Sequence, residues 1–243
     1  MTGPSFLIGT DPLVPLQDMG KFTYLVIDLL SVAFPLLASF EQRISFWRKW
    51  RGLFQGILVM MLLFIPWDVL FTAEKIWGFN DEYLVGIAIA GLPIEEWFFF
   101  LLIPYACMFL YEVMRYFIPK DVLDPYARAM AGTLAGILLV VGLIHFDRAY
   151  TTVTFLLAAI ALGHHAFIAR TAWLGRFFIG YAISLVPFFL VNGILTGTFL
   201  DRPVVWYNDM ENLGIRLGTI PIEDAIYLML LLLIVTTFYE RKR

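Results

Sequence analysis

The chain is short of charge and nearly free of cysteine. Of its 243 residues, 15% are Asp, Glu, Lys or Arg, while 60% are hydrophobic and the mean hydropathy is +0.80. An ordinary soluble domain is about one-quarter charged, so the composition is that of an integral membrane protein. The single cysteine, Cys107, sits inside an apolar run; it excludes an intrachain disulfide and any Cys-based metal or redox motif. Three histidines are present, and neither His164-His165 nor His145 has ligand spacing to a carboxylate, so no metal site is expected. There is no G-x-G-x-x-G and no P-loop, hence no readable dinucleotide or nucleoside triphosphate site. No Asp-Asp-x-x-Asp cluster suggests magnesium diphosphate binding, and no cofactor or nucleic-acid partner is expected. The last apolar run lacks lysine, which excludes a retinal Schiff base there. No cleavable signal is evident: the first run follows a Pro-rich tail and is followed by basic residues, as a retained span would be. The net charge of −3 says little, because sidedness matters more.

What the chain has is long apolar runs. A hydrocarbon core of about 30 Å takes roughly 20 residues of helix, and seven such spans are expected, at about 22–40, 53–72, 93–116, 129–146, 151–169, 177–199 and 221–239. Residues 84–91, ahead of the third span, are apolar enough for a re-entrant or half-buried segment. The basic stretches 41–52, 115–128, 170–176 and 241–243 alternate with acidic or neutral ones. Lys and Arg mark the cytoplasmic side, so the N-terminus is expected outside and the C-terminus inside, in a bacterial cytoplasmic membrane.

The chain also repeats itself. Leu92-Pro93-Ile94-Glu95-Glu96-Trp97-Phe98-Phe99-Phe100 returns 128 residues later as Ile220-Pro221-Ile222-Glu223-Asp224-Ala225. At the same offset Asn80-Asp81 falls on Asn208-Asp209, Gly86-Ile87 on Gly214-Ile215 and Tyr111-Glu112 on Tyr239-Glu240. The offset maps spans 1–3 onto 5–7 and leaves span 4 as a connector. The expected fold is therefore all-α, with seven transmembrane helices as two parallel three-helix repeats joined by a connector helix. The expected units are a tail over 1–21, a first repeat over 22–116, a connector over 117–150 and a second repeat over 151–243.

Both acidic pairs then start helices at the same, non-cytoplasmic face. Pro-Ile-Glu-Glu is a good helix start, since proline suits the first helical position and acids in the first turn complement the helix dipole. Ionisable groups that open membrane spans are nevertheless functional candidates by default, and a dipole cap does not need two adjacent acids, used twice. Glu95, Glu96, Glu223 and Asp224 are thus the candidate catalytic residues. Asp68, late in span 2, and Asn192, in span 6, reach a similar depth; Asp28, in span 1, is a weaker candidate. Glu112 and Glu240 lie about 25 Å deeper at 1.5 Å per residue, beside arginines, and read as interfacial ion-pair partners. Of Trp97-Phe98-Phe99-Phe100, at most two can face one site.

Trp67-Asp68, Trp77-Gly78-Phe79-Asn80, the Pro93-Ile94-Glu95-Glu96 box with its second copy, Ile103-Pro104-Tyr105-Ala106-Cys107 and Tyr111-Glu112 resemble the small, flavin-independent, membrane-embedded lycopene cyclases. These occur as two short subunits or, as here, fused. The resemblance covers residues 22–240. It implies cyclisation of the ends of lycopene, taken from the bilayer, to β-ionone rings, a reaction without net redox change. It implies Glu95, Glu96, Glu223, Asp224 and Asp68 as the acid–base set, with Trp67, Trp97, Phe98, Phe99, Asn80 and Asn192 against the substrate. The second box carries Ala225 and Ile226 where the first has Trp97 and Phe98, so one composite site and one site per repeat both stay open. Two rival readings are a small-solute carrier of the same topology and an end-group hydratase. The carrier lacks the polar midplane it needs, since Leu228–Val235 is apolar.

Overall fold

A computed structural model describes residues 20–241, so the expected tail lies almost wholly outside the described residues, as do Lys242 and Arg243. Among the described residues, seven helices are long and apolar enough to cross a membrane. They are α1 (Thr23–Ala38, entered by a 3-10 turn at Gly20–Phe22), α2 (Trp50–Ala73), α3 (Ile94–Phe117), α4 (Asp124–Ile144), α5 (Ala149–Gly163, prolonged by a π-helical turn at His164–Ile168), α6 (Leu174–Leu195) and α7 (Ile222–Arg241). Each expected span has its helix, with ends displaced by up to five residues. The largest displacement is at α4, which starts at Asp124-Pro125; proline in the first turn loses no helical hydrogen bond.

The segments between α2 and α3 and between α6 and α7 are built alike. Strand β1 (Trp77–Phe79) pairs antiparallel with β4 (Val205–Tyr207), with Gly78 opposite Trp206. These two residues are equivalent at the 128-residue offset, so the ladder is centred on a local two-fold between the halves. Its ends match as well: the Asn80 N–H donates to Val204 O (2.8 Å) and the Asn208 N–H to Ile76 O (2.9 Å). A Cβ at Gly78 would stand 2.4 Å from the Trp206 indole, so only glycine admits that ring. Next come two hairpins, β2 (Ala88–Ile89) with β3 (Leu92–Pro93) and β5 (Arg216–Leu217) with β6 (Ile220–Pro221). Residues 84–91 therefore form a bend and a hairpin strand rather than a re-entrant segment. Pro93 stands in β3 as the N-cap of α3, not as its first helical residue. A two-residue strand beside a helix start has no periodicity of its own to read.

The helices interlock across the halves. α2 packs chiefly on α7, and α6 on α3, while α1 lies on α3 and α5 on α7. The first two contacts run through small residues at four-residue spacing. Gly56 on α2 approaches so closely that a Cβ would meet Val235 O at 2.6 Å, and Gly52 lies over Tyr239; on α6, Gly180 lies over Tyr111, with Cβ contacts of 2.7 Å. Gly52–Tyr239 and Gly180–Tyr111 are the same contact in the two halves. Such small-xxx-small faces let membrane helices approach and pack by van der Waals contact. Near the basic end the acids are ion-paired. Glu112 accepts from Lys49 and from the Tyr239 hydroxyl (2.6 Å). Glu240 accepts from Arg115 (3.0 Å) and the Tyr111 hydroxyl (2.9 Å).

Candidate active site

Adjacent residues on an α-helix diverge by 100°, and this divides each acidic pair. Glu95 and Glu223, both fully buried, turn back to the loop ahead of their own helices. Glu95 Oε1 accepts from the Val85 N–H (2.7 Å) and Glu223 Oε1 from the Leu213 N–H (2.8 Å); Glu223 also accepts from the Thr151 hydroxyl (2.7 Å). Val85 and Leu213 are again 128 residues apart. These two acids fix the bends at Gly86 and Gly214, whose positive φ values of 91° and 68° suit glycine. Their Oε2 atoms are buried with no hydrogen-bond partner among the described residues, as are both carboxyl oxygens of Asp28.

Glu96 and Asp224 point elsewhere, into one cavity of about 50 Å³ between the halves. Glu96 Oε2 accepts from the Tyr24 hydroxyl (2.6 Å). Asp224 holds three donors: Tyr150 Oη (2.5 Å) on Oδ1, and Asn192 Nδ2 (2.7 Å) and Tyr207 Oη (2.9 Å) on Oδ2. Burial, with the Asp224 carboxylate alongside, pushes the Tyr207 phenol well above the usual tyrosine range, so at neutral pH it keeps its proton and donates. Around the acids stand Trp77, Phe79, Phe99 and Tyr227. Trp77 and Tyr227 meet edge to face with Tyr150 (5.0 and 6.3 Å between centroids), and Tyr207 stacks on Tyr150 at 5.8 Å.

Asp68 is buried beside this group without lining the cavity. Its Oδ1 accepts from the Trp77 indole N–H (2.6 Å) and the Thr72 hydroxyl (3.2 Å), and so fixes the plane of a wall residue. Of the aromatics proposed for substrate, Phe99 lines the cavity together with Asn192; Trp67, Trp97, Phe98 and Asn80 do not. Trp97 donates to Ile89 O (3.3 Å), and Phe98 is 37% exposed. Asn80 Oδ1 caps the turn at Glu82 N (3.1 Å), and Trp67 packs on Tyr227. Helical divergence removes Trp97 and Phe98 from the cavity side, and Asn80 is taken up by its own turn.

Against this geometry, the lycopene cyclase family model matches the chain twice, over residues 21–114 and 147–241. The chain belongs to the lycopene cyclase family. The two matched segments coincide with the two halves whose loops and helix contacts repeat. Among curated relatives, a bifunctional lycopene cyclase/phytoene synthase of Neurospora crassa is 33% identical over 55 residues, 23% of this chain and 9% of the relative. One of Leptosphaeria maculans is 31% identical over 58 residues, 24% of this chain and 10% of the relative. The matched segment thus spans about a tenth of those relatives' length. No solved structure matches this lycopene cyclase family member.

Residue patterns alone missed Tyr24, Tyr150, Tyr207, Trp77 and Tyr227. A signal existed for the first two. Tyr24 and Tyr150 hold equivalent acids, but they are 126 residues apart rather than 128. Sliding the chain by the offset of the acidic boxes does not align them. Among the described residues no group of three metal-ligating side chains occurs; His165 instead bonds Thr171 (2.8 Å) and Thr237 (3.1 Å).

Proposed function

We propose that the chain is a lycopene β-cyclase, closing the ψ-ends of lycopene by acid–base chemistry with Glu96 as acid and Asp224 as base. The observation that carries this reading is the unequal dressing of two carboxyl groups in one aromatic cavity. Three donors converge on Asp224, as suits an acceptor-only carboxylate; Glu96 receives one. The Glu96 O–H proton passes to the terminal double bond of the ψ-end, leaving a tertiary cation. The π electrons of the ring-forming double bond attack it and form the new carbon–carbon bond, moving the positive charge inside the ring. A ring C–H bond then breaks, its electrons form the ring double bond, and the proton goes to Asp224. Product and substrate are isomers, and the enzyme is restored when the proton returns from Asp224 to Glu96. Aromatic faces stabilise the passing cation by about 2 kcal/mol or more where water is excluded. Tyr24 positions Glu96, Asp68 positions Trp77, and Glu95 and Glu223 hold the loops over the cavity.

The test is conversion of lycopene by membranes containing the chain, with the pigments separated chromatographically. Monocyclic and then bicyclic products are expected. Glu96→Gln and Asp224→Asn should each lower turnover about a hundredfold or more while inserting in normal amount. Hydroxylated ends would instead establish the hydratase, and wild-type rates in both variants would end the acid–base assignment.

A further inference from the structure

We propose that the polyene enters sideways from the bilayer through a single groove between α1, α3 and α6, and passes Phe188 to reach the acids. This rests on the lycopene cyclase reading and names the route and binding surface of its substrate.

Two lateral grooves flank the cavity, of about 510 Å³ between α1, α3 and α6 and about 710 Å³ between α2, α5 and α7. They are counterparts: Pro187, Val191 and Ala106 of the first occupy the repeat positions of Val59, Leu63 and Ile234 in the second. Both are lined almost wholly by apolar side chains at membrane depth. Only the first adjoins the cavity, since Phe188 lines both spaces. The second shares no lining residue with it. There Phe64, Trp67 and Tyr227 form a wall, with centroids 4.8 Å (Phe64–Tyr227), 5.0 Å (Trp67–Tyr227) and 5.2 Å (Phe64–Trp67) apart. The residues at those three positions in the other half are Asn192, Leu195 and Phe99. The duplicated halves have therefore diverged where groove meets cavity: three interlocked rings close the larger groove, and an amide, a leucine and a phenylalanine border the smaller one.

The occupant follows from the same geometry. The reactive end must lie at Glu96 and Asp224, while the long conjugated tail needs an apolar channel. On the loop side the cavity is roofed by Phe79, Val205 and Tyr207 of the β1–β4 ladder. From Ile103 to Leu110 the open groove follows α3 for about 10 Å at 1.5 Å per residue, directly below the helix start that carries Glu96. The tail lies there and continues into lipid. Because the cavity is far below the roughly 300 Å³ usual for ligand sites, Phe188 must turn aside as the end-group arrives.

Two groove-filling variants test this. Ala106→Phe fills the open groove and should lower kcat/KM for lycopene about tenfold or more, mainly through KM, because uniform binding is lost. Ala161→Phe, in the closed groove, should stay within about twofold of wild type. Phe188→Trp, an independent obstruction, should behave as Ala106→Phe does and serves if that variant fails to insert. Lycopene binding is measured in parallel from its visible absorption on purified Glu96→Gln protein, where turnover is not needed; Ala106→Phe should abolish it there and Ala161→Phe should not. Equal effects of the two fillings, or a larger effect of Ala161→Phe, would overturn the route. If the wild type binds lycopene at the open groove without cyclising it, the functional reading fails and the route stands. If it does not bind lycopene at all, both fail.

Discussion

At the scale of single residues, the 100° between neighbours on a helix assigns two tasks to each Glu-Glu or Glu-Asp pair. Two explanations open to the sequence, a helix-start device and a catalytic pair, divide between different members: the first suits Glu95 and Glu223, and the second is our proposal for Glu96 and Asp224. Glu95 and Glu223 satisfy loop N–H groups; Glu96 and Asp224 face the cavity. Glu95→Gln keeps an oxygen for the Val85 N–H and should retain most of the turnover that Glu96→Gln loses. Glu95→Ala removes the acceptor and should lower stability by about 1–2 kcal/mol, read as an earlier thermal transition of the solubilised protein. Equal loss of turnover in Glu95→Gln and Glu96→Gln would contradict this division. The acids and Asn192 were legible because charge and amide stand out against hydrocarbon; Phe99 was named only through the family resemblance. The tyrosines were not, since phenols are ordinary belt residues in membrane helices and their partnership exists only once α1 lies on α3 and α5 on α7.

At the scale of elements, hydropathy placed all seven spans, because nothing else in the chain is both long and apolar. It gave no partners: α7 is buried over most of its length, so its apolar pattern has no single face to read. The glycine spacing carried that information in retrospect. Gly56→Leu should drive α2 off the Val235 backbone and destabilise the fold by about 3 kcal/mol or more. Gly136→Leu on α4, where among the described residues nothing beyond its own stretch of helix lies within 4 Å of a new Cβ, should be neutral. Yield of monodisperse protein after extraction measures both. The loop strands were illegible for a different reason, being two or three residues long and defined only by their partners across the repeat.

At the scale of the whole molecule, the β1–β4 ladder ties together the segments that follow α2 and α6. On the proposed route, the cavity lined by Glu96 and Asp224 and the groove that meets it at Phe188 admit one end of a polyene at a time. We therefore expect the monocyclic γ-carotene to accumulate transiently in a lycopene time course and to be accepted when supplied. Glu223→Gln with Asp224→Asn should stop both ring closures together; a product stalled at one ring would reveal a second, separate site. The interlocked pairing of α2 with α7 also sets a schedule for manufacture. Val235 is translated ~180 residues after Gly56, which at roughly 5–20 residues per second is on the order of 10–35 s. Throughout that interval the glycine face of α2 has only lipid, or the membrane insertion machinery, against it. A ribosome that stalls before α7 thus leaves an adhesive helix waiting in the bilayer, and quality-control proteases should clear such nascent chains faster than those arrested after it.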